Sequence, residues 1–217
     1  MAPPKHSEKP KASPLKQGYL ILYNFASAVA WLTVLGRVAA VASTRGTDFV
    51  APTVADFTKW TQTMAGMEVL HAAFGVVRAP LATTVIQVAS RYLLVWGVVE
   101  QFPYLGGSPV YTSMLLAWSI TEVIRYSYFA LSLSNVQPKS LTWLRYNMFF
   151  VLYPVGISSE AWLIYQAVDP AVAKFGDWYS YILVFILGVY VPGSYVMYTH
   201  MMAQRRKIMR GNKEKAK

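Results

Sequence analysis

The sequence predicts an all-α, polytopic membrane protein, in which a bundle of six transmembrane helices has both termini in the cytosol. Of its 217 residues, 55% are hydrophobic and only 14% are charged, and the mean hydropathy is +0.33. These values are too apolar for an ordinary soluble domain. Apolar windows of about 20 residues, the length that crosses a hydrocarbon core of about 30 Å, also recur along the chain.

Six apolar windows define the predicted spans. In residue numbers they are 19–36, 57–77, 81–99, 110–133, 141–168 and 178–202. The second window is the least hydrophobic because it carries four polar side chains. These are Lys59, Gln62, Glu68 and His71. Helix breakers fall between several windows, as loops require, at Pro80, in the stretch 103–109, at Pro138 and at Pro170.

The two ends of the chain are basic and set the predicted orientation. Residues 1–17, rich in Lys, Pro and Ser, are predicted to form a disordered tail, residues 18–203 the transmembrane domain, and residues 204–217 a basic cytosolic tail. In the tails, the loops and the span ends next to them, lysines and arginines number 14 on the side that holds both tails and 4 on the other side. The positive-inside rule therefore predicts that both termini lie in the cytosol.

The net charge of +10 and the absence of cysteine limit which molecules the protein is expected to bind and which side-chain chemistry it can use. Basic clusters beside membrane spans favour anionic lipid headgroups over nucleic acid as their partner. Without cysteine, disulfides, thiolate metal sites and thiol nucleophiles are excluded. Lys213 and Lys215 stand fifth and third from the end, a spacing that resembles the dilysine retrieval signal of endoplasmic reticulum proteins. The alternative interpretation is a solvated basic tail.

Ionisable side chains inside the predicted spans are the main functional signal. A carboxylate at membrane depth costs about 3 kcal/mol on insertion scales, so it normally faces a protein interior or a watery cavity. Polar side chains lie at similar predicted depth on four helices: Glu68, His71, Gln87, Arg91, Glu122, Arg125, Tyr153 and Glu160. They predict either the wall of a polar cavity or ion pairs that join helices. By contrast, the tryptophans Trp31, Trp60, Trp96, Trp118 and Trp178 are interpreted as interfacial anchors or lipid-facing bulk.

Tyr153 and Glu160 share one face of the fifth predicted span. Because they are seven residues apart, an ideal helix separates them by about 20° around the axis and about 10.5 Å along it. Pro154 and Gly156 lie between them. An intramembrane proline removes one backbone hydrogen bond and crowds the preceding turn, so this stretch is predicted to be kinked. The two side chains can therefore address one substrate from its two ends.

Several sequence blocks together resemble one enzyme family. The blocks are Gly75-Val-Val-Arg-Ala-Pro-Leu81, Thr83-Thr-Val-Ile-Gln-Val-Ala-Ser-Arg91, Leu116-Ala-Trp-Ser-Ile-Thr-Glu-Val-Ile-Arg-Tyr126, Leu144-Arg-Tyr-Asn147, Tyr153-Pro-Val-Gly-Ile-Ser-Ser-Glu160 and Ala203-Gln-Arg-Arg-Lys207. Through them, residues 15–210 resemble the very-long-chain 3-hydroxyacyl-CoA dehydratases of fatty-acid elongation. These enzymes form a protein tyrosine phosphatase-like membrane family, and the likeness is to its fungal-type members.

The resemblance implies a six-helix enzyme of the endoplasmic reticulum membrane that dehydrates very-long-chain 3-hydroxyacyl-CoA to trans-2-enoyl-CoA, the third step of the elongation cycle. Its implied catalytic pair falls on Tyr153 and Glu160. The expected supporting or substrate-binding residues are Glu68, Gln87, Arg91, Glu122, Arg125, Arg145 and Gly156. The implied partners are the acyl-CoA substrate, the lipid bilayer and other enzymes of the elongation cycle.

Dehydration of a 3-hydroxyacyl thioester requires a base at C2 and an acid for the hydroxyl that leaves C3. A carboxylate in an apolar site is a stronger base, while a phenol with the ordinary pKa of about 10 stays protonated. Our hypothesis is Glu160 as base and Tyr153 as acid, and the reverse assignment stays open. Arg91, Arg125 or a backbone N–H near Pro154 are candidates to stabilise the thioester oxygen. Arg145 is a candidate for contact with a CoA phosphate.

No cofactor and no metal are expected. The three histidines lack the spacing of metal ligands, and no glycine-rich nucleotide loop is present. Two other functional classes stay open at this point. A small polytopic transporter would also carry ionisable residues at midplane, although transporters commonly have internal repeats, which the two halves of this chain do not display. A noncatalytic membrane scaffold of the elongase complex is the other class.

Overall fold

The computed structural model describes residues 13–214, with side chains through residue 209. Within this range the chain forms eight α-helices and no β-strand, as the sequence predicts. The helices are α1 (Pro14–Thr44), α2 (Val50–Thr63), α3 (Gly66–Ala73), α4 (Leu81–Tyr92), α5 (Pro109–Leu133), α6 (Lys139–Asn147), α7 (Phe149–Phe175) and α8 (Asp177–Glu214). A π-helical segment, Leu93–Val99, continues α4, and 3₁₀ turns lie at Thr47–Phe49 and Pro103–Gly107.

The first and last helices extend beyond their apolar windows. Helix α1 begins at Pro14, inside the stretch predicted as a tail, because the fixed φ and missing N–H of proline suit the first turn of a helix. Helix α8 continues to Glu214, so residues 204–214 of the predicted C-terminal tail are helical. Residues 1–12 of the predicted N-terminal tail and Lys215 of the dilysine pattern lie outside the described residues.

The second apolar window is divided into two helices, because α2 ends at Thr63 and α3 begins at Gly66. The break frees the Thr63 carbonyl, which accepts a hydrogen bond of 2.5 Å from the Tyr92 hydroxyl of α4. A Cβ atom on Gly66 would lie 2.5 Å from that same hydroxyl oxygen. Glycine at this position therefore lets α4 come close enough for Tyr92 to satisfy the freed carbonyl, as a break in the backbone hydrogen bonding requires.

The fifth apolar window is bent by 43° between α6 and α7, at Met148. The predicted kink was centred on Pro154, which instead lies within the continuous helix α7. The bend lies six residues before Pro154, outside the turn that the proline ring crowds. Tyr153 and Glu160 are therefore on one unbroken helix, with Tyr153 nearer the bend.

Helix α5 lies at the centre of the bundle, where it packs along α1 on one side and α7 on the other, and α7 packs in turn against α8. The interior is apolar and includes Trp31, Val34, Leu94, Met114, Leu115, Leu163 and Ile164. The outer face of α8 exposes large apolar side chains such as Phe185 and Val191. Exposed apolar surface of this kind suits contact with lipid.

Three helical stretches are long and apolar enough to cross a membrane by themselves within the described range: Pro14–Thr44, Leu81–Val99 and Asp177–Met209. The bent pair α6 and α7 makes a fourth if it counts as one span. Helix α5, although 25 residues long, and the divided pair α2 and α3 do not meet this criterion. The described part of the chain is thus all-helical, with several apolar helices that are long enough to cross a membrane.

Candidate active site

Glu160 lies where α7 meets α5 and α8, and both oxygens of its carboxylate accept hydrogen bonds. The indole Nε1 of Trp118, on α5, donates to Oε1 at 2.7 Å. The hydroxyl of Tyr190, on α8, donates to Oε2 at 3.0 Å. Trp118 is only 2% exposed, so its donor is shielded from competing solvent. The carboxylate is therefore held from two sides by uncharged donors.

Tyr153 lies two turns before Glu160 on α7 and is half-buried. Its hydroxyl donates a hydrogen bond of 3.3 Å to the backbone carbonyl of Ser194 on α8. Its ring lies 6.0 Å from the ring of Tyr198, measured between centroids. The phenol thus lies along the same α7–α8 boundary as Glu160. Its long hydrogen bond leaves the hydroxyl free to turn toward another acceptor at little cost.

Four charged side chains from three helices form a neutral ionic quartet next to this site. Arg125 of α5 binds Glu68 of α3 through two hydrogen bonds, of 2.9 and 2.7 Å. The same arginine donates to Glu122 at 2.7 Å, and Arg91 of α4 donates to the other oxygen of Glu122. The Tyr126 hydroxyl adds a hydrogen bond of 2.5 Å to Glu68. Two acids and two bases balance, as buried charges require.

The ionic quartet joins the Glu160 carboxylate through Trp118. The guanidinium carbon of Arg91 lies 4.9 Å from the centroid of the Trp118 ring, within the range of a cation–π interaction. The edge of the same indole donates to Glu160. A continuous path of contacts therefore runs from Glu68 through Arg125, Glu122, Arg91 and Trp118 to Glu160. The sequence allowed either ion pairs between helices or a cavity wall, and the four charged residues form the ion pairs.

Three other residues that were expected to support the site, Gln87, Arg145 and Gly156, take no part in the chain of contacts from Glu68 to Glu160. Gln87 is exposed, and its amide nitrogen lies 3.8 Å from the sulfur of Met197. The guanidinium carbon of Arg145 lies 4.6 Å and 4.5 Å from the ring centroids of Tyr128 and Phe129, and its Nε is buried without a hydrogen-bond partner. Gly156 is buried, and a Cβ atom there would meet Ala117 at an ordinary 3.8 Å.

Sequence reasoning missed Trp118 and Tyr190. The sequence predicts an interfacial anchor or lipid-facing bulk for Trp118, but this side chain is buried, as are Trp31 and, in part, Trp96. Trp60 and Trp178 are exposed. A signal for Trp118 was present, since it lies four residues before Glu122 and so one turn away on the same helix face. Tyr190 had no comparable signal, because α8 carries no ionisable residue at that depth.

The arrangement can supply the two groups that a proton transfer needs, a base and an acid. A carboxylate and a phenol lie on one helix face, and the neighbouring charges are internally paired. No group of three or more potential metal-ligating side chains occurs among residues 13–209. A surface depression of about 440 Å³, lined by Tyr104, Leu105, Tyr165, Gln166, Val168, Asp169 and Pro170, lies at the far end of α7 from Tyr153. It contains none of the predicted site residues.

Comparisons with known proteins agree on one family. The model of the PTPLA family, described as protein tyrosine phosphatase-like protein, matches residues 62–211. A probable very-long-chain (3R)-3-hydroxyacyl-CoA dehydratase of Schizosaccharomyces pombe is 46% identical over 198 residues, which cover 89% of this chain and 94% of the relative. The rice dehydratase PASTICCINO 2B, from Oryza sativa subsp. japonica, is 39% identical over 210 residues, covering 91% and 95%. Human very-long-chain (3R)-3-hydroxyacyl-CoA dehydratase 2 is 33% identical over 219 residues, covering 94% and 85%. No solved structure matches this chain significantly.

Proposed function

This chain belongs to the PTPLA family, and from that membership we propose how it acts on its substrate. It is a very-long-chain 3-hydroxyacyl-CoA dehydratase, a lyase of fatty-acid elongation, like the relatives that it matches over most of their length. The reaction removes water from a 3-hydroxyacyl-CoA and leaves a trans-2-enoyl-CoA. The chemistry needs one base and one acid, which the site must supply from its own side chains.

Glu160 is the proposed base and Tyr153 the proposed acid. The observation that carries this assignment is the difference between Glu160 and the other two carboxylates of the site. Glu68 and Glu122 bind arginines, whereas both hydrogen-bond donors to Glu160 are uncharged. Because no arginine of the described residues is hydrogen-bonded to it, Glu160 keeps more of its basicity than a carboxylate that is paired directly with a guanidinium. Within the described residues, no lysine or arginine contacts the Tyr153 ring or hydroxyl. Tyr153 is therefore expected to stay protonated at neutral pH, as an ordinary phenol does.

In this mechanism the Glu160 carboxylate takes a proton from C2 of the acyl chain. The electron pair of that C–H bond forms the double bond between C2 and C3, and the C–O bond at C3 breaks. The departing hydroxyl takes the proton of the Tyr153 hydroxyl and leaves as water. Proton exchange with solvent returns both side chains to their starting forms. Arg91 and Arg125 are engaged by Glu122 and Glu68, which favours a positioning role for them over direct contact with the thioester oxygen.

The test of this proposal is turnover by the purified protein. Wild-type protein in detergent or nanodiscs is expected to convert a long-chain 3-hydroxyacyl-CoA to the 2-enoyl-CoA, and Tyr153→Phe is expected to lower kcat by about 10²–10⁴-fold, because it removes only the proton donor. Tyr165→Phe is the matched control, since Tyr165 lies on the same helix but is exposed. A folded wild-type protein without turnover would support the noncatalytic scaffold instead, and equal rates for Tyr153→Phe and wild type would remove Tyr153 from the mechanism.

The same proposal includes six spans in the endoplasmic reticulum membrane, with both termini in the cytosol. The six spans would be α1, the pair α2 and α3, α4 with its π-helical extension, α5, the bent pair α6 and α7, and α8. The charge asymmetry of the loops supports this orientation. One basic residue on the less basic side, Lys59, is also neutralised by Glu100 at 2.7 Å. The acyl-CoA would enter from the cytosol, where other elongation enzymes would deliver it.

Because the chain has no native cysteine, single cysteines can report the topology. Gln137→Cys places a thiol in the exposed loop before α6, and Tyr104→Cys places one in the loop before α5. In sealed microsomes of the endoplasmic reticulum, an impermeant maleimide is expected to label position 137 and to label position 104 only after detergent is added. Labelling of position 104 in sealed vesicles would contradict the proposed topology.

A further inference from the structure

We infer that Trp118 and Tyr190 act as positioning residues that clamp the Glu160 carboxylate in one orientation, and that Arg91 fixes the Trp118 indole from its face. This inference rests on the proposed role of Glu160 as the base. It assigns a supporting role to two uncharged side chains, Trp118 and Tyr190, which lie on two other helices. The clamp is defined as the Trp118 indole N–H, the Tyr190 hydroxyl and the carboxylate that they share.

The geometry of the clamp restricts the carboxylate completely. A donor on α5 holds Oε1 at 2.7 Å, and a donor on α8 holds Oε2 at 3.0 Å. Since α7 carries the carboxylate itself, the three groups come from three helices. Rotation of the carboxylate about its terminal bond would break both hydrogen bonds. A base fixed in this way needs no reorientation when the substrate proton reaches it, and such preorganisation is a large part of catalysis.

The two donors have different chemistry, which distinguishes the two oxygens. An indole N–H can only donate, so Oε1 keeps its role as an acceptor throughout the reaction. A tyrosine hydroxyl can donate or accept, so Tyr190 can reverse its hydrogen bond when the other oxygen gains a proton. A carboxylate offers about four lone-pair sites, of which the clamp uses two. We therefore assign the proton taken from C2 to Oε2, where Tyr190 can accept a hydrogen bond from the protonated oxygen.

Trp118 is itself held in place by the ionic quartet. The guanidinium of Arg91 covers the indole face at 4.9 Å, and Glu122 fixes Arg91. Glu122 is held from its other side by Arg125. The quartet therefore stabilises the orientation of an indole whose N–H edge points at the base. This arrangement gives the intramembrane charges a role in the reaction that requires no contact with substrate.

Two hydrogen bonds elsewhere in the bundle provide matched controls. The Trp96 indole donates to the Thr63 hydroxyl at 3.1 Å, and the Tyr179 hydroxyl donates to the Gly97 carbonyl at 2.7 Å. Tyr179 lies on α8, as Tyr190 does. Trp96→Phe and Tyr179→Phe therefore remove the same donor types from the same kind of environment, but from acceptors other than Glu160.

The experiment compares the four Phe variants by kcat, KM and thermal midpoint. Trp118→Phe and Tyr190→Phe are expected to lower kcat by about 10–100-fold, the scale of a hydrogen bond to a charged group, with KM changed less than about twofold. Trp96→Phe and Tyr179→Phe are expected to keep kcat within about twofold of wild type at comparable thermal midpoints. A loss of kcat that is equal in the clamp and control variants would overturn the inference, as would unchanged kcat in both clamp variants.

A double-mutant cycle separates positioning from general structural support. Glu160→Asp keeps a carboxylate but withdraws it by one methylene, out of reach of both donors. In that background Tyr190→Phe is expected to lower kcat less than about twofold, because the contact that it removes is already lost. A full 10-fold loss in the Glu160→Asp background would show that Tyr190 acts elsewhere. Wild-type turnover and the Tyr153→Phe result test the proposed function separately, so its failure is distinguishable from failure of the clamp.

Discussion

Glu160→Gln is expected to abolish most of the dehydratase activity, with kcat reduced by about 10²–10⁴-fold. Glutamine has the size of glutamate, and its carbonyl oxygen can still accept the hydrogen bond that Trp118 now gives to Oε1. Its amide nitrogen can donate to the Tyr190 hydroxyl, which is able to accept. The packing of α7 against α5 and α8 is therefore preserved. What the substitution removes is the capacity to take a proton from C2.

The measurement is steady-state formation of 2-enoyl-CoA, together with the thermal midpoint of each variant. Asp169→Asn is the control, because Asp169 is an exposed carboxylate on the same helix α7 and should leave kcat unchanged. If Glu160→Gln retains near-wild-type kcat, Glu160 is not the base. If Glu160→Gln and Tyr153→Phe lose activity to the same extent and the double variant loses no more, the two residues act in one step of the reaction.

Glu122→Gln is expected to destabilise the protein by about 3–5 kcal/mol, the cost of breaking a buried ion pair by removing one partner. Glu122 is 2% exposed and is the acceptor that separates Arg91 from Arg125. Without its charge, Arg91 loses its ion-pair partner and Arg125 keeps only Glu68. Activity should fall as well, because Arg91 is no longer held over Trp118. A lower thermal midpoint and a lower kcat are the two measurements.

A second variant distinguishes loss of charge balance from loss of packing. Combining Glu122→Gln with Arg91→Met removes one acid and one base, so it restores neutrality and is expected to recover a large part of the thermal stability, but not the activity. Glu100→Gln is the control for a Glu to Gln change at an ion pair, because Glu100 is 42% exposed and its partner Lys59 keeps a second carboxylate, Asp56, at 3.1 Å. A Glu122→Gln protein as stable as wild type would mean that the quartet does not stabilise the bundle.

The helical class and the placement of Tyr153 and Glu160 on one helix face were predictable from the sequence because they depend on local patterns. Long apolar runs in a membrane form helices, because a helix satisfies every backbone polar group within its own segment. The seven-residue spacing of Tyr153 and Glu160 places them on one face of any helix. The likeness of several blocks to one family predicted the dehydratase, and the family comparisons confirmed that prediction.

Helix boundaries were less predictable. Each of the two apolar windows is a single segment in the sequence. In the structure, the second is divided at residues 64–65 and the fifth is bent at Met148. Hydropathy measures burial in lipid and does not register a backbone break. The break after Thr63 is tolerated because Tyr92, 29 residues later, supplies a hydrogen bond to the freed carbonyl. A break of this kind depends on a distant partner.

The amino-acid pattern alone specified an apolar helical bundle with two acids, two bases and a Tyr–Glu pair at membrane depth. Which acid meets which base required the packed helices. Gln87 and Arg91 lie one turn apart on nearly the same helix face, yet Gln87 is exposed whereas Arg91 binds Glu122. Which turn of α4 meets an acid depends on how the helices are packed. The role of Trp118 also emerged only from packing. An indole is apolar over most of its surface, so its hydropathy value gives no sign of a specific hydrogen bond. The direction of its single N–H depends on the helices that surround it.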